Sequence, residues 1–321
     1  MFLIRLLLAA LLAGNISAVL AEDKIWKLLN QMNHTLETGN YQGTFVFMHD
    51  GKVETLKIVH GHSDYGVREK LVSLTGDARE VIRDRDVLTC IWPKDKLVVI
   101  ETASSRYGLP SFLPENLDDL ALHYKLKETG SARIAGFICQ IVRFTPLDAY
   151  RYGHELCIDT DSGMLLKSRT FDTEGESIES MMFTSFSMLE SVPDSMFSRS
   201  TPLEGYTWKV AGLGQDGEMP PDHAWKIRNL PPGFSLSSVT RRQTSASKSP
   251  VQHIVLTDGL ASVSVFISKV KDPRHFYEGV HNKGVISAYA RDLNRHQITV
   301  IGEVPEGTVI SIGESVFYSG P

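Results

Sequence analysis

The sequence predicts an α+β, mainly antiparallel β protein, with a large sheet-and-helix domain followed by a smaller sheet-plus-helix domain. Three observations predict it: one amphipathic helix near residue 30, a long succession of short strands joined by tight turns, and a single Gly/Pro-rich break. The helix is read from Ile25, Leu28, Leu29, Met32 and Leu36, which recur at helical spacing over residues 24–38 before Gly39 supplies a stop.

The period then changes from helical to alternating. Residues 44–49 run into Asp50-Gly51 and on into 52–59, and Asp-Gly between two such runs is a strong hairpin signal. Further strands are expected near 66–74, 79–83, 87–92, 97–101, 122–128, 134–144, 154–159, 164–171 and 177–189. Evenly spaced short strands with tight turns form one large antiparallel meander. Several strands are apolar on both faces: Phe45 and Phe47 alternate with Val46 and Met48, and Met181 and Phe183 with Met182 and Phe186. A sheet covered on one side only would alternate apolar with polar, so something apolar covers the second face as well. Either the 24–38 helix or a hydrophobic cavity meets that need.

Gly and Pro enrichment over 201–221 marks a linker between domains at 22–200 and 222–321. The smaller domain opens with Trp225-Lys226-Ile227, continues through strands at 252–256 and 260–270 joined by Thr257-Asp258-Gly259, and adds strands near 285–290 and 297–303. Pro305 sits in the first turn of an expected closing helix, with Val309, Ile312 and Val316 on one face. Residues 245–250 are expected as an exposed hairpin loop.

Residues 1–21 carry one charge, Arg5, then an apolar stretch from Leu6 to Ala13 and the small-residue ending Val19-Leu20-Ala21. This is the pattern of a cleaved export signal, too short for a permanent span. The full chain holds 33 basic and 38 acidic residues, a formal net charge of −5. Residues 218–321 hold 11 Lys/Arg against 9 Asp/Glu, so a mildly basic second domain follows an acidic first one. No basic stripe is present, which argues against nucleic acid as partner.

Three cysteines occur, Cys90, Cys139 and Cys157. A hairpin centred on Asp148 would place Cys139 opposite Cys157, within reach of a disulfide in an oxidising compartment; two buried free thiols is the alternative. Cys90, before Ile91-Trp92, reads as an inert core thiol.

The motif content points to binding and not to an enzyme, a metal site or a cofactor. Gly212-x-Gly214-x-x-Gly217 matches a dinucleotide fingerprint in its letters but leads into Pro220-Pro221, so no helix N-terminus follows to receive a pyrophosphate. His60-Gly61-His62, with His49 across the hairpin, lacks a full ligand set and reads as surface histidines near a turn. Asp84, Asp86 and Asp95 read as solvated turn carboxylates.

Two segments remain as candidate binding surfaces. Residues 102–121 interrupt the strand pattern yet carry Tyr107, Leu109, Phe112 and Leu113, so they form either a lid over a hydrophobic site or a loop pinned to the core by its own apolar side chains. Arg241 and Arg242 end a strand, with Lys248 nearby, and read either as a docking point for acidic groups of a partner or as solvated surface.

Three segments carry a family resemblance: the run Gly39-Asn40-Tyr41-Gln42-Gly43-Thr44-Phe45 after the opening helix, the region from Cys139 to Cys157, and above all Asp258-Gly259-Leu260-Ala261-Ser262-Val263-Ser264-Val265-Phe266-Ile267, with Gly302-Glu303-Val304-Pro305 later. In domain order and spacing the chain resembles the RseB/MucB family. The resemblance implies a periplasmic negative regulator of a sigma-E-type factor. Its large domain would be a LolA/LolB-like half-barrel. Its partner would be the periplasmic part of a membrane-spanning anti-sigma factor of the RseA/MucA kind, shielded from proteolysis and released when lipid or lipopolysaccharide is sensed. A homo-oligomer stays open. The alternative is a lipid or lipoprotein carrier, for which the large domain alone would suffice.

Overall fold

The structure, a computed structural model, describes residues 23–102, 118–211, 218–242, 249–270 and 276–320. The expected export signal, the Gly212–Gly217 fingerprint and most of the 245–250 loop therefore lie outside the described residues.

Helix α1 (23–38) is followed by β1 (Tyr41–His49), β2 (Lys52–Ser63), β3 (Gly66–Ser73), β4 (Glu80–Asp84), β5 (Val87–Trp92) and β6 (Leu97–Thr102). A short α2 (Asp118–Ala121) leads into β7 (Tyr124–Ile134), β8 (Phe137–Pro146), β9 (Gly153–Asp159), β10 (Leu165–Phe171) and β11 (Ser177–Met188), then a 3-10 turn at Asp194–Phe197 and β12 (Thr207–Ala211). These strands form one 12-stranded sheet in the order β12-β6-β5-β4-β3-β2-β1-β11-β10-β9-β8-β7. All pairings are antiparallel except β12 with β6. Two local meanders, β1 to β6 and β7 to β11, are thus joined in the middle by β1 on β11. The chain that leaves β6 re-enters at α2 and β7, on the opposite edge of the sheet.

The apolar stripe of α1 lies on this sheet: Ile25, Leu29, Met32 and Leu36 are buried in one cluster with Phe45, Leu56, Ile58, Phe144, Leu156, Ile158 and Phe183. Each such side chain, fully buried, contributes about 1.5–3 kcal/mol. Among the described residues, then, the helix is a cover for the second apolar face. Gly43 lets the sheet close here, since a Cβ on it would stand 2.5 Å from the Phe183 ring.

Cys139 and Cys157 are joined by a disulfide with Cα atoms 5.3 Å apart. The expected register is off by two residues, because β8 pairs Cys139 with Asp159 and Ile141 with Cys157. The cysteines are diagonal neighbours, not directly opposed, and the coiling of the sheet brings them closer than the ~7–8 Å of such pairs in general. Cys90 is buried and free, its thiol pushed up to about 11 mainly by burial.

The smaller unit holds β13 (Glu218–Met219), β14 (Trp225–Ile227), β15 (Ser235–Arg242), β16 (Val251–Thr257), β17 (Ser262–Lys269), β18 (Gly279–Lys283), β19 (Ile286–Leu293), β20 (His296–Gly302), α3 (Glu306–Ser315) and β21 (Val316–Tyr318). Seven strands form a sheet in the order β13-β15-β16-β17-β20-β19-β18, and β14 pairs with β21. Helix α3 packs Val309 and Ile312 against Val263, Val265, Ile298 and Val300. Pro305 is the N-cap, one position before the first turn. The stretch 201–221 carries β12 into the large sheet and β13 into the small one.

Candidate functional site

The sheet face under α1 carries a polar cluster near the end of the helix. Tyr41 stacks on His60 with ring centroids 4.6 Å apart, because β1 and β2 pair these residues directly. His60 Nδ1 lies 2.7 Å from the Gly39 carbonyl oxygen, and burial lowers the imidazole pKa. Glu69, opposite His60 on β3, has its carboxyl pushed up to about 8 by burial, against the opposing pull of Arg83. Burial likewise raises the Tyr41 phenol. His60 is therefore a core residue, and the surface reading of the His60-Gly61-His62 run fails at its first member: the two histidines share a face of β2, but His60 is covered by Tyr41 and the end of α1 while His62, near the end of the strand, is exposed. His49 lies 3.4 Å from Glu54.

Tyr107, Leu109, Phe112 and Leu113 lie outside the described residues. The chain around them is anchored at both ends by described strands, β6 on one side and α2 with β7 on the other, where Leu120 and Tyr124 are buried in the large core. Arg241 and Arg242 close β15, paired with Met219 and Glu218 of β13 on one side and Gln252 and Val251 of β16 on the other. Arg242 is exposed and Arg241 half-buried.

A groove of about 850 Å³ opens on the far face of the large sheet, where Arg68, Arg85, Arg199 and Trp208 surround Ile82 and Phe197. Arg68 donates to Asp194 at 2.6 Å and covers the Phe197 ring at 4.5 Å. Asp84 pairs with Arg85 at 3.3 Å.

The contact between the domains is polar and buried. Arg151, in the turn from β8 to β9, donates through Nε to Asp258 Oδ2 at 2.8 Å, through Nη2 to the Pro232 carbonyl at 2.7 Å, and through Nη1 to Asp148. Both Arg151 and Asp258 side chains are 0% exposed. Asp258 Oδ1 accepts from the backbone N–H groups of Leu260 and Ala261 at 3.0 and 2.6 Å. The guanidinium sits near the rings of Tyr124 and Phe234, at 5.8 and 5.5 Å. His154 faces the same carboxylate; desolvation pushes its imidazole down to about 4 although Asp258 pulls the other way. The two cores also trade side chains: Leu260 packs on the large core and Tyr150 on the small one. Thr308 of α3 donates to the Tyr150 carbonyl at 2.8 Å. Gly233, at φ +81, approaches His123 so closely that a Cβ would stand 2.3 Å from its ring.

Sequence reasoning missed this joint. Its signal was an Arg and two Asp in turns, residue types that turns ordinarily leave solvated.

Among the described residues no group of His, Cys, Asp and Glu is placed to hold a metal, and no helix is long and apolar enough to cross a membrane. The MucB/RseB N-terminal domain model matches residues 24–201, and the MucB/RseB C-terminal domain model matches 219–317. The sigma factor AlgU regulatory protein MucB of Pseudomonas aeruginosa is 32% identical, over 95% of this chain and 95% of that protein. The sigma-E factor regulatory protein RseB of Escherichia coli K12 is 25% identical over 96% and 94%. Among solved structures, MucB in complex with MucA(peri) superposes with a TM-score of 0.70 at 26% identity, covering 94% of this chain and all of that one. The Pseudomonas aeruginosa MucA/MucB complex gives 0.71 over 92% of this chain and 99% of that one. Both domain models, in order and over nearly the whole described chain, show that this protein belongs to the MucB/RseB family.

Proposed function

We propose that the chain is a periplasmic negative regulator of a sigma-E-type factor, which binds the periplasmic part of a membrane anti-sigma factor of the MucA/RseA kind. Bound there, it shields that partner from regulated proteolysis and releases it on sensing lipid or lipopolysaccharide. The observation that carries this reading is the match of both domains to MucB held in complex with MucA(peri). A disulfide between Cys139 and Cys157 suits an oxidising compartment. A carrier would have no use for the small domain, yet that domain is fastened to the large one through buried groups, which favours the regulator.

The test is a titration of the full chain with the periplasmic segment of the anti-sigma factor, with and without lipopolysaccharide. Saturable binding that lipopolysaccharide weakens supports the reading; lipid binding with no affinity for the segment makes the protein a carrier. Within this reading Tyr107, Leu109, Phe112 and Leu113 gate the lipid site. Replacing all four by Ser is expected to blunt lipid-triggered release and to leave segment binding largely intact. Arg241 and Arg242 contact the partner, so Arg241→Ala/Arg242→Ala is expected to weaken segment binding without lowering the melting temperature. An unchanged affinity would remove that contact.

A further inference from the structure

We propose that Arg151 is the positioning residue that couples the two domains, holding the small domain at one orientation and passing a displacement at the large domain's core to the strands that carry Arg241 and Arg242. The functional half of this inference rests on the regulator reading; the positioning half does not.

The geometry of the pair is all-or-none. Arg151 directs Nε and both Nη atoms to acceptors, two of them on the small domain, and lies between aromatic rings from each domain. Asp258 in turn is filled by the guanidinium on one oxygen and by two backbone N–H groups on the other. A rotation of one domain that breaks this contact leaves opposite charges stranded away from water, so intermediate positions are disfavoured and two discrete arrangements, closed and open, are favoured. A buried ion pair is a weak source of net stability, because apolar residues of similar volume would commonly serve as well. Its presence between two separate cores points to orientation as what it specifies.

The neighbours of the pair supply a continuous route. Tyr124 belongs to the large core beside Leu120 of α2, where the chain returns from residues 103–117, and its ring contacts the Arg151 guanidinium. Its Oη is buried with no hydrogen-bond partner among the described residues, so the ring is held there by packing and not by a bond of its own. On the other side, Asp258 directly follows β16, which pairs along its length with β15 up to Arg241 and Arg242. Leu260, two residues on, is itself lodged against the large core. A ligand that shifts Leu120 and Tyr124 therefore acts directly on the Arg151 contact, through the Tyr124 ring. Such a ligand changes partner affinity only if it binds the closed and open arrangements differently.

The experiment uses the full chain with nitroxide labels at two exposed turn and strand positions, introduced as Asp95→Cys and Ser237→Cys; Cys90 is buried and the remaining cysteines are bonded. Asp258→Asn removes the charge but keeps an oxygen for Leu260 and Ala261, and Arg151→Lys keeps the charge but loses the fork. The expected result is one narrow inter-label distance in the parent, and a broadened or second distance in Asp258→Asn and to a lesser degree in Arg151→Lys, with unchanged circular dichroism. A parent-like narrow distance in both variants overturns the positioning role. The second readout is affinity for the periplasmic segment of the anti-sigma factor, with and without lipopolysaccharide micelles. Lipopolysaccharide is expected to weaken binding about tenfold or more in the parent and less than about twofold in Asp258→Asn, whose affinity without lipid stays within about threefold. Release as large in Asp258→Asn as in the parent overturns the coupling. A parent that ignores the segment sinks the regulator reading and the coupling with it, while the distance measurement still decides whether Arg151 positions the domains.

Discussion

The contact of α1 with the large sheet and the contact of the small domain with the large one are both buried, but they are held by opposite chemistry. The first is a stripe of Ile25, Leu29, Met32 and Leu36 on apolar strands. The second centres on Arg151 and Asp258, both fully enclosed. Apolar contact is non-directional and degrades gradually as side chains are trimmed. A buried ion pair is directional, and removing one partner strands the other. The helix is therefore fixed in place by many replaceable contributions, and the small domain by one arrangement that has to be met in full.

Three variants would break or sharpen that contrast. The largest effect is expected from Arg151→Met, which abandons Asp258 in the joint and should lower stability by about 3–5 kcal/mol in urea unfolding. Pairing it with Asp258→Leu should recover a large part of the loss; no recovery would mean that the charges are not what Arg151→Met disturbs. Next is Leu29→Ala under α1, expected to cost about 2–5 kcal/mol with no coupling to Arg151→Met in a double-mutant cycle. A strong coupling would mean that helix and joint are one cooperative unit. The smallest is Glu69→Gln. Because the folded carboxyl titrates at about 8, above its unfolded value of 4.5, the native state binds the extra proton, and its contribution is complete below pH 4.5 and lost as pH rises through 8. The parent should therefore lose more stability between pH 5 and 8 than the Gln variant does. Equal slopes would assign the pH dependence elsewhere, for instance to Glu179, pushed up to about 7 chiefly by burial and also by Glu303.

The same contrast explains what could be read from the sequence. Helix α1 and strands β1 to β11 were legible because alternation, helical spacing and Asp-Gly turns are local signals. Strand β12 was not: Thr207–Ala211 lies in a Gly/Pro-rich stretch and pairs parallel with β6, about a hundred residues earlier, so no turn announces it. The disulfide was legible as a hairpin pair, though two residues out of register, because coiling is a property of the whole sheet. His60 was misread since its core role depends on a stacking partner in another strand. Arg151 was invisible because an arginine in a turn looks solvated until its partner, 107 residues further on, folds against it.

The order of strands in the large sheet has a kinetic consequence. Strands β1 to β6 and β7 to β11 are each built from neighbours in sequence, and hairpin contacts of that kind form in microseconds. Joining the halves requires β1 to find β11, with Tyr41 meeting Met188 and His49 meeting Glu179. That long-range search is the slow step expected of such a topology. Cys139 and Cys157 both lie in the second half, on adjacent strands. Their oxidation can therefore precede the search, and a chain emerging into an oxidising compartment would have half of its sheet covalently pinned before the remainder docks.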